Sequence, residues 1–137
     1  MPTTTMVGDH LPELDIPITA TLVAGGALAT RDWSVVHHDK AAAETAGAPD
    51  IFMNILTTNG LIGRFLTDWA GPQAVIKNIS IKLGASNFPG DTMKLSGTVS
   101  EYSETTGEAV IEVSGQNSIG VHASGSATVL LHGKDEA

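Results

Sequence analysis

Ile51-Phe52-Met53-Asn54-Ile55-Leu56-Thr57-Thr58-Asn59-Gly60-Leu61-Ile62-Gly63-Arg64-Phe65-Leu66-Thr67-Asp68-Trp69 is apolar on nearly every side. Read as a helix, it must be buried over most of its circumference. About 20 helical residues span ~30 Å, the width of a small domain. Asn54, Asn59, Arg64 and Asp68 interrupt the run, which argues against a membrane span. Gly60 and Gly63 each cost roughly 1 kcal/mol against alanine in a helix, so they call for a reason; close approach of a strand or a second helix is the expected one. Gly71-Pro72 is a stop signal.

Downstream the period changes from helical to alternating. In residues 75–83, Val75, Ile79, Ile81 and Leu83 are apolar against Asn78, Ser80 and Lys82. Met93, Leu95, Gly97 and Val99 alternate with polar neighbours, as do Ala109, Ile111 and Val113. Val121, Ala123, Gly125, Ala127, Val129 and Leu131 give the last strand its apolar face. Such alternation predicts an antiparallel sheet with one face buried. Turns fall at 88–91, 104–107 and 118–120. Upstream, residues 1–17 read as an extended lead-in, and residues 18–23, rich in β-branched side chains, as a strand broken by Ala24-Gly25-Gly26. Residues 27–31 are ambiguous. Residues 40–46 read as a short helix with Asp39 as N-cap and Gly47 as terminator. The fold class is therefore α+β, a curled antiparallel sheet wrapped round one long helix, which is the hot-dog arrangement. The whole chain, 1–137, reads as one such domain with a polar tail at 134–137. Open sheet edges are normally paired or covered, so a dimer with a continuous sheet is expected.

The 137 residues carry a formal charge of −8. A general nucleic-acid binder needs a basic stripe to neutralise phosphates, so no nucleic-acid partner is expected. Cysteine is absent, which excludes disulfides and thiolate chemistry. No metal-ligand cluster is visible, so no metal is expected. Residues 1–10 lack the basic and apolar regions of a signal peptide, and a cytoplasmic location is the default expectation.

Just ahead of the long segment stands Thr30-Arg31-Asp32-Trp33-Ser34-Val35-Val36-His37-His38-Asp39. A loop can bring Asp32 and His37 to one point. A carboxylate and an imidazole sharing a water make a workable acid/base pair, because an imidazole as a side-chain type can give or take a proton near neutral pH. On spacing alone the plainer reading is stronger: Asp32 caps a turn and His37 is surface. His10, His38, His122 and His132 read as surface too, and Phe65 and Trp69 as packing. Trp33 stands open between surface and pocket wall. Lys77, Lys82, Lys94 and Arg64 are available for phosphates, with solvated surface an equal reading.

Three stretches together resemble the MaoC-like hydratases of the hot-dog superfamily. Asp32, His37 and Asp39 match that family's Asp-x-Asn-Pro-x-His-x-Asp pattern; residues 50–57 stand where it has Pro-Ile-x-His-Gly-Met; Pro89-Gly90-Asp91-Thr92 matches its Pro-Gly-Asp-Thr turn. Residues 29–33, 36–39, 50–57 and 67–72 further resemble the small subunits of two-subunit enoyl-CoA hydratases that steroid-degrading bacteria use on the cholesterol side chain. The resemblance implies hydration of an enoyl thioester, with Asp32 and His37 catalytic. It also implies an oxyanion and substrate-binding position at Asn54 and Ile55, backed by N–H groups at the helix start. It implies an acyl-CoA substrate, no other cofactor, and a second hot-dog subunit in a heterodimer or heterotetramer, or a homodimer. Two departures stand out: Ser34-Val35 replaces the family's Asn-Pro, and Met53-Asn54 its His-Gly. They leave open a subunit that mainly supports its partner's site. A hot-dog thioesterase is the other alternative, with Asp50 or Asp68 as its acid.

Overall fold

The computed structural model describes residues 4–131. Its elements are β1 (Leu14–Pro17), α1 (Ala20–Ala29), a 3-10 turn (Val35–His37), α2 (Lys40–Thr45), α3 (Ile55–Ala70), β2 (Val75–Leu83), β3 (Thr92–Tyr102), β4 (Glu108–Gln116) and β5 (Val121–Leu130). The five strands form one antiparallel sheet in the order β1-β3-β4-β5-β2, which leaves β1 and β2 as its outer strands. α3 lies across it, burying Thr57, Thr58, Ile62, Phe65, Leu66, Trp69 and Ala70. Met93, Leu95, Val99, Ala109, Ile111, Val113, Ala127 and Val129 supply the sheet's side of the core. The expected sheet round one long helix is the architecture found.

The N-terminal elements differ from the sequence reading. Residues 18–23 are not a strand. The early strand is β1, four residues within the supposed lead-in, paired with β3 from Leu14↔Leu95 to Pro17↔Thr92. α1 begins directly after it, with the Thr19 hydroxyl accepting from the Leu22 N–H at 3.0 Å. Gly25 and Gly26 lie inside this helix. Gly26 is a contact point: a Cβ there would lie 2.9 Å from Thr57 Cγ2 and closer still to its hydroxyl. The glycine lets α1 seat on the first turn of α3, and that packing overrides the β-propensity of residues 18–23.

α3 starts at Ile55, four residues later than the apolar run suggests. Residues 51–54 are extended and pinned, with Phe52 N donating to Val36 O and Met53 N to Asn87 O. A Cβ at Gly60 or Gly63 meets nothing within 4 Å, so the expected close approach is absent among the described residues. In β2 a bulge between Ile76 and Asn78 resets the alternation. Ile76, Ile79 and Ile81 pack on the core, whereas Val75 and Leu83 are exposed. Phe65 and Trp69 are core, as expected. No helix among the described residues is long and apolar enough to cross a membrane. His132 and the 134–137 tail lie outside the described residues.

Candidate active site

Asp32 and His37 meet. The chain leaves α1 through Thr30, whose hydroxyl donates to the α1 carbonyls of Gly26 and Ala27, and through Arg31 at φ 60°. It then turns so that Asp32 Oδ1 accepts from the Ser34 N–H at 3.2 Å. The 3-10 turn that follows carries His37 back beneath it, with Nε2 3.3 Å from Asp32 Oδ2. His37 is 7% exposed, so the reading of it as surface does not hold. The turn-capping reading of Asp32 does hold, alongside the pairing.

The protons of the pair can be placed. His37 Nδ1 is 2.6 Å from the Phe52 carbonyl oxygen, which can only accept, so Nδ1 carries a hydrogen. Nε2 therefore faces Asp32 either as a lone pair or as the second N–H of an imidazolium. The Phe52 ring meets the imidazole edge to face at 5.1 Å, and Phe88 meets Phe52 edge to face at 6.4 Å. Asp32 is held below the usual carboxylate range, first by a hydrogen bond from Asn54, then by the Ser34 N–H, and least by the His37 charge; partial burial opposes them.

Asn54 is the N-cap of α3 and is 3% exposed. Its carboxamide uses every hydrogen-bonding position it has. Oδ1 accepts from the backbone N–H and the hydroxyl of Thr57, and Nδ2 donates to Thr30 Oγ1 at 3.0 Å and Asp32 Oδ2 at 3.1 Å. No donor of this side chain remains for a substrate oxygen. The oxyanion role expected at Asn54 and Ile55 is thus left to backbone. Ile55 and Leu56 occupy the first two helical positions, whose N–H groups have no intrahelical acceptor. Both side chains are exposed.

Behind this front lie residues to which the sequence assigned no part in the site. His122, read as surface, is 1% exposed. Its Nδ1 donates to Ala85 O at 2.7 Å, and its Nε2 receives the hydroxyl of Thr58, one turn into α3, at 2.8 Å. Asn87 is fully buried; its carbonyl holds the Met53 N–H, and its Oδ1 accepts from Asn117. Asp91 of the Pro-Gly-Asp-Thr turn binds the Ser118 hydroxyl at 2.7 Å and its backbone N–H. Strand alternation put His122 on the polar face, and no local signal reveals the loop and helix that close over it.

Burial lowers the pKa of His122, the Ala85 hydrogen bond opposing it. It faces Thr58 and Ala85, and no ion-pair partner among the described residues. The unfolded chain therefore binds this proton more readily than the folded one. The stability from a neutral His122 is complete above its ordinary value of 6.5 and is lost as pH falls below it. Urea titrations at pH 7.5 and 5.5 should show a lower unfolding free energy at 5.5, this one proton contributing at most about 1.4 kcal/mol per pH unit. His122→Asn should remove most of that difference.

The remaining expectations resolve simply. His10 and His38 are exposed, and Trp33 is 66% exposed. Lys77, Lys94 and Arg64 pair with Glu108, Glu13 and Asp68, and Lys82 is exposed. Asp50 caps its own neighbour Ile51, and Asp68 is bound to Arg64; neither joins the Asp32–His37 site. No metal-binding cluster occurs among the described residues.

A model of the MaoC like domain matches residues 3–121. The chain is 44% identical over 131 residues to the 3-oxo-4,17-pregnadiene-20-carboxyl-CoA hydratase beta subunit of Mycobacterium tuberculosis, covering 96% of this chain and 98% of that one. It superposes on a chain of the ChsH1-ChsH2 complex from Mycobacterium tuberculosis with a TM-score of 0.90, at 41% identity, over 94% of this chain and 100% of that chain. The (R)-hydratase from A. caviae involved in PHA biosynthesis has the same fold, with a TM-score of 0.86 at 22% identity over 93% of this chain and 98% of that one.

Proposed function

Because the chain belongs to the MaoC-like family, we propose that it is a subunit of an enoyl-CoA hydratase, adding water to the α,β double bond of a steroid side-chain acyl-CoA. One observation carries the reading: the Asp32–His37 pair, 3.3 Å apart, on a loop beside the N-terminus of α3. The pair takes a proton from water as its oxygen bonds to the β-carbon, and a proton returns at the α-carbon. Negative charge gathers on the thioester oxygen meanwhile. The first-turn N–H groups of α3, at Ile55 and Leu56, are the donors suited to it, with the helix dipole behind them.

The substrate class follows the relative named for a pregnadiene carboxyl-CoA. That relative is a beta subunit, which supports a second hot-dog subunit as partner here. The outer edge of β2 and the outward side of α3, with Ile55, Leu56, Gly60 and Gly63, have no partner among the described residues, and such a subunit would cover them. The reaction as written draws on no cofactor beyond the CoA of its substrate, and a cytoplasmic location is part of the same reading. Thioester hydrolysis gains no support, since α3 carries no acid in its first turn.

Co-expression with a partner hot-dog subunit, followed by a steroid enoyl-CoA assay, tests this. Loss of the enoyl absorbance with a product heavier by one water is expected. Free CoA released in step with substrate loss, read with a thiol reagent, would replace hydration by hydrolysis.

A further inference from the structure

We propose that Asn54 is a positioning residue for the acid/base pair: its amide donates to Asp32 Oδ2, holding that carboxylate ionised and aimed at His37, so that His37 Nε2 alone exchanges the proton. The inference rests on the hydratase reading and assigns the roles that reading leaves open.

The orientation of the Asn54 amide is determined by its neighbours. The Thr57 backbone N–H can only donate, so the atom it meets at 3.1 Å is Oδ1. The other terminus, facing Thr30 and Asp32, is then the NH₂ group. Thr30 agrees independently. Its hydroxyl hydrogen goes to α1 carbonyl oxygens, the Gly26 oxygen at 2.8 Å, which leaves its lone pairs to receive Nδ2–H. The network is directional and anchored at both ends by backbone. Gly26, lacking a Cβ, lets α1 seat on Thr57 and fixes the side chain that fixes Asn54.

The consequence for Asp32 is chemical. Oδ2 receives an amide hydrogen and faces His37 Nε2, while Oδ1 receives the Ser34 N–H. Both oxygens accept hydrogen bonds from neutral donors, which favours the ionised carboxylate. No Lys or Arg nitrogen among the described residues lies within 4 Å of this carboxylate, although Arg31 precedes it in the chain. His37 is the one titratable group facing it; His38 is exposed and Asp39 caps α2. In the hydration step His37 Nε2 takes the proton as the water oxygen bonds to the β-carbon. The π electrons move toward the α-carbon and thioester oxygen. The imidazolium, paired with the Asp32 carboxylate, then returns the proton to the α-carbon.

Asn54→Ser separates this role from helix capping, because serine still caps α3 but lacks the amide donor. In the assembled hydratase, Asn54→Ser should lower kcat at pH 7 about tenfold or more with KM within a few-fold. Asp32 itself should become harder to ionise in Asn54→Ser, and harder still in Asn54→Asp, which sets a second carboxylate against the first. Carboxyl carbon NMR on the full chain, with the Asp32 signal assigned from Asp32→Asn, reads the same property without turnover. An Asp32 inflection that rises in Asn54→Ser supports the assignment; one that stays where it was overturns it, whatever the kinetics do. Failure of the wild-type complex to hydrate any enoyl-CoA would instead sink the hydratase reading, and the NMR result would still stand.

Discussion

Asp32→Asn and His37→Ala should each lower hydration by the assembled enzyme about 10²–10⁴-fold. The magnitude follows from what each removes. Nε2 is the one ring atom of His37 that can exchange a proton, because Nδ1 is committed to the Phe52 carbonyl. Alanine there leaves no base that works at neutral pH. Asp32→Asn keeps the volume and the contact with Ser34 but loses the charge opposite Nε2. An imidazolium formed during the reaction then has no counter-ion. The double mutant should be little worse than the poorer single, since the two act as one unit. Circular dichroism and partner binding should match wild type for Asp32→Asn, because Asp32 is at the edge of the fold with 29% of its side chain exposed. Full activity in the double mutant would move the chemistry to the partner subunit.

Local pattern revealed much of this architecture. β3 buries Met93, Leu95 and Val99 in strict alternation, so its face was readable residue by residue. α2 carried its own start signal in Asp39. What escaped depends on contacts between distant parts of the chain. Gly25-Gly26 reads as a break until Thr57, 31 positions further along, requires the missing Cβ (57 − 26). Asp32 and His37 are close in sequence, so their meeting was legible. Asn54, the residue that holds Asp32, is 22 positions away, and its partner Thr30 is 24 away. Only the return of residues 51–54 along the loop brings them together. His122 is farther still, 64 positions from Thr58. The sites of chemistry were thus easier to read than the groups that tune them.

Gly125→Ala should be the most damaging single methyl group that can be added to this sheet. Gly125 sits in β5 between Val113 of β4 and Ile81 of β2. A Cβ there would lie 2.8 Å from Ile81 Cα and nearer still to the Ser80 carbonyl oxygen. Both are backbone atoms, so no rotamer change relieves the clash; β2 itself must shift. That strand is an outer one and is held in the sheet by β5 alone. Moving it withdraws Ile79 and Ile81 from the core. The loss should therefore reach or exceed the top of the roughly 1–3 kcal/mol range for overpacking. For a chain of this size that is a fall in Tm of about 10 °C. Gly60→Ala and Gly63→Ala, measured in the same isolated chain, make the opposite case. Their Cβ atoms meet nothing within 4 Å, and alanine is the better helix former, so each should stabilise by up to about 1 kcal/mol. Calorimetry on the three variants distinguishes glycines kept for close approach from glycines whose reason lies outside this chain. If Gly60→Ala and Gly63→Ala stabilise the free subunit yet weaken binding of its partner, the outward face of α3 is where the second subunit packs. A Gly125→Ala variant as stable as wild type would mean that β2 can leave its register without cost, which the fit of Ile79 and Ile81 against the core argues against.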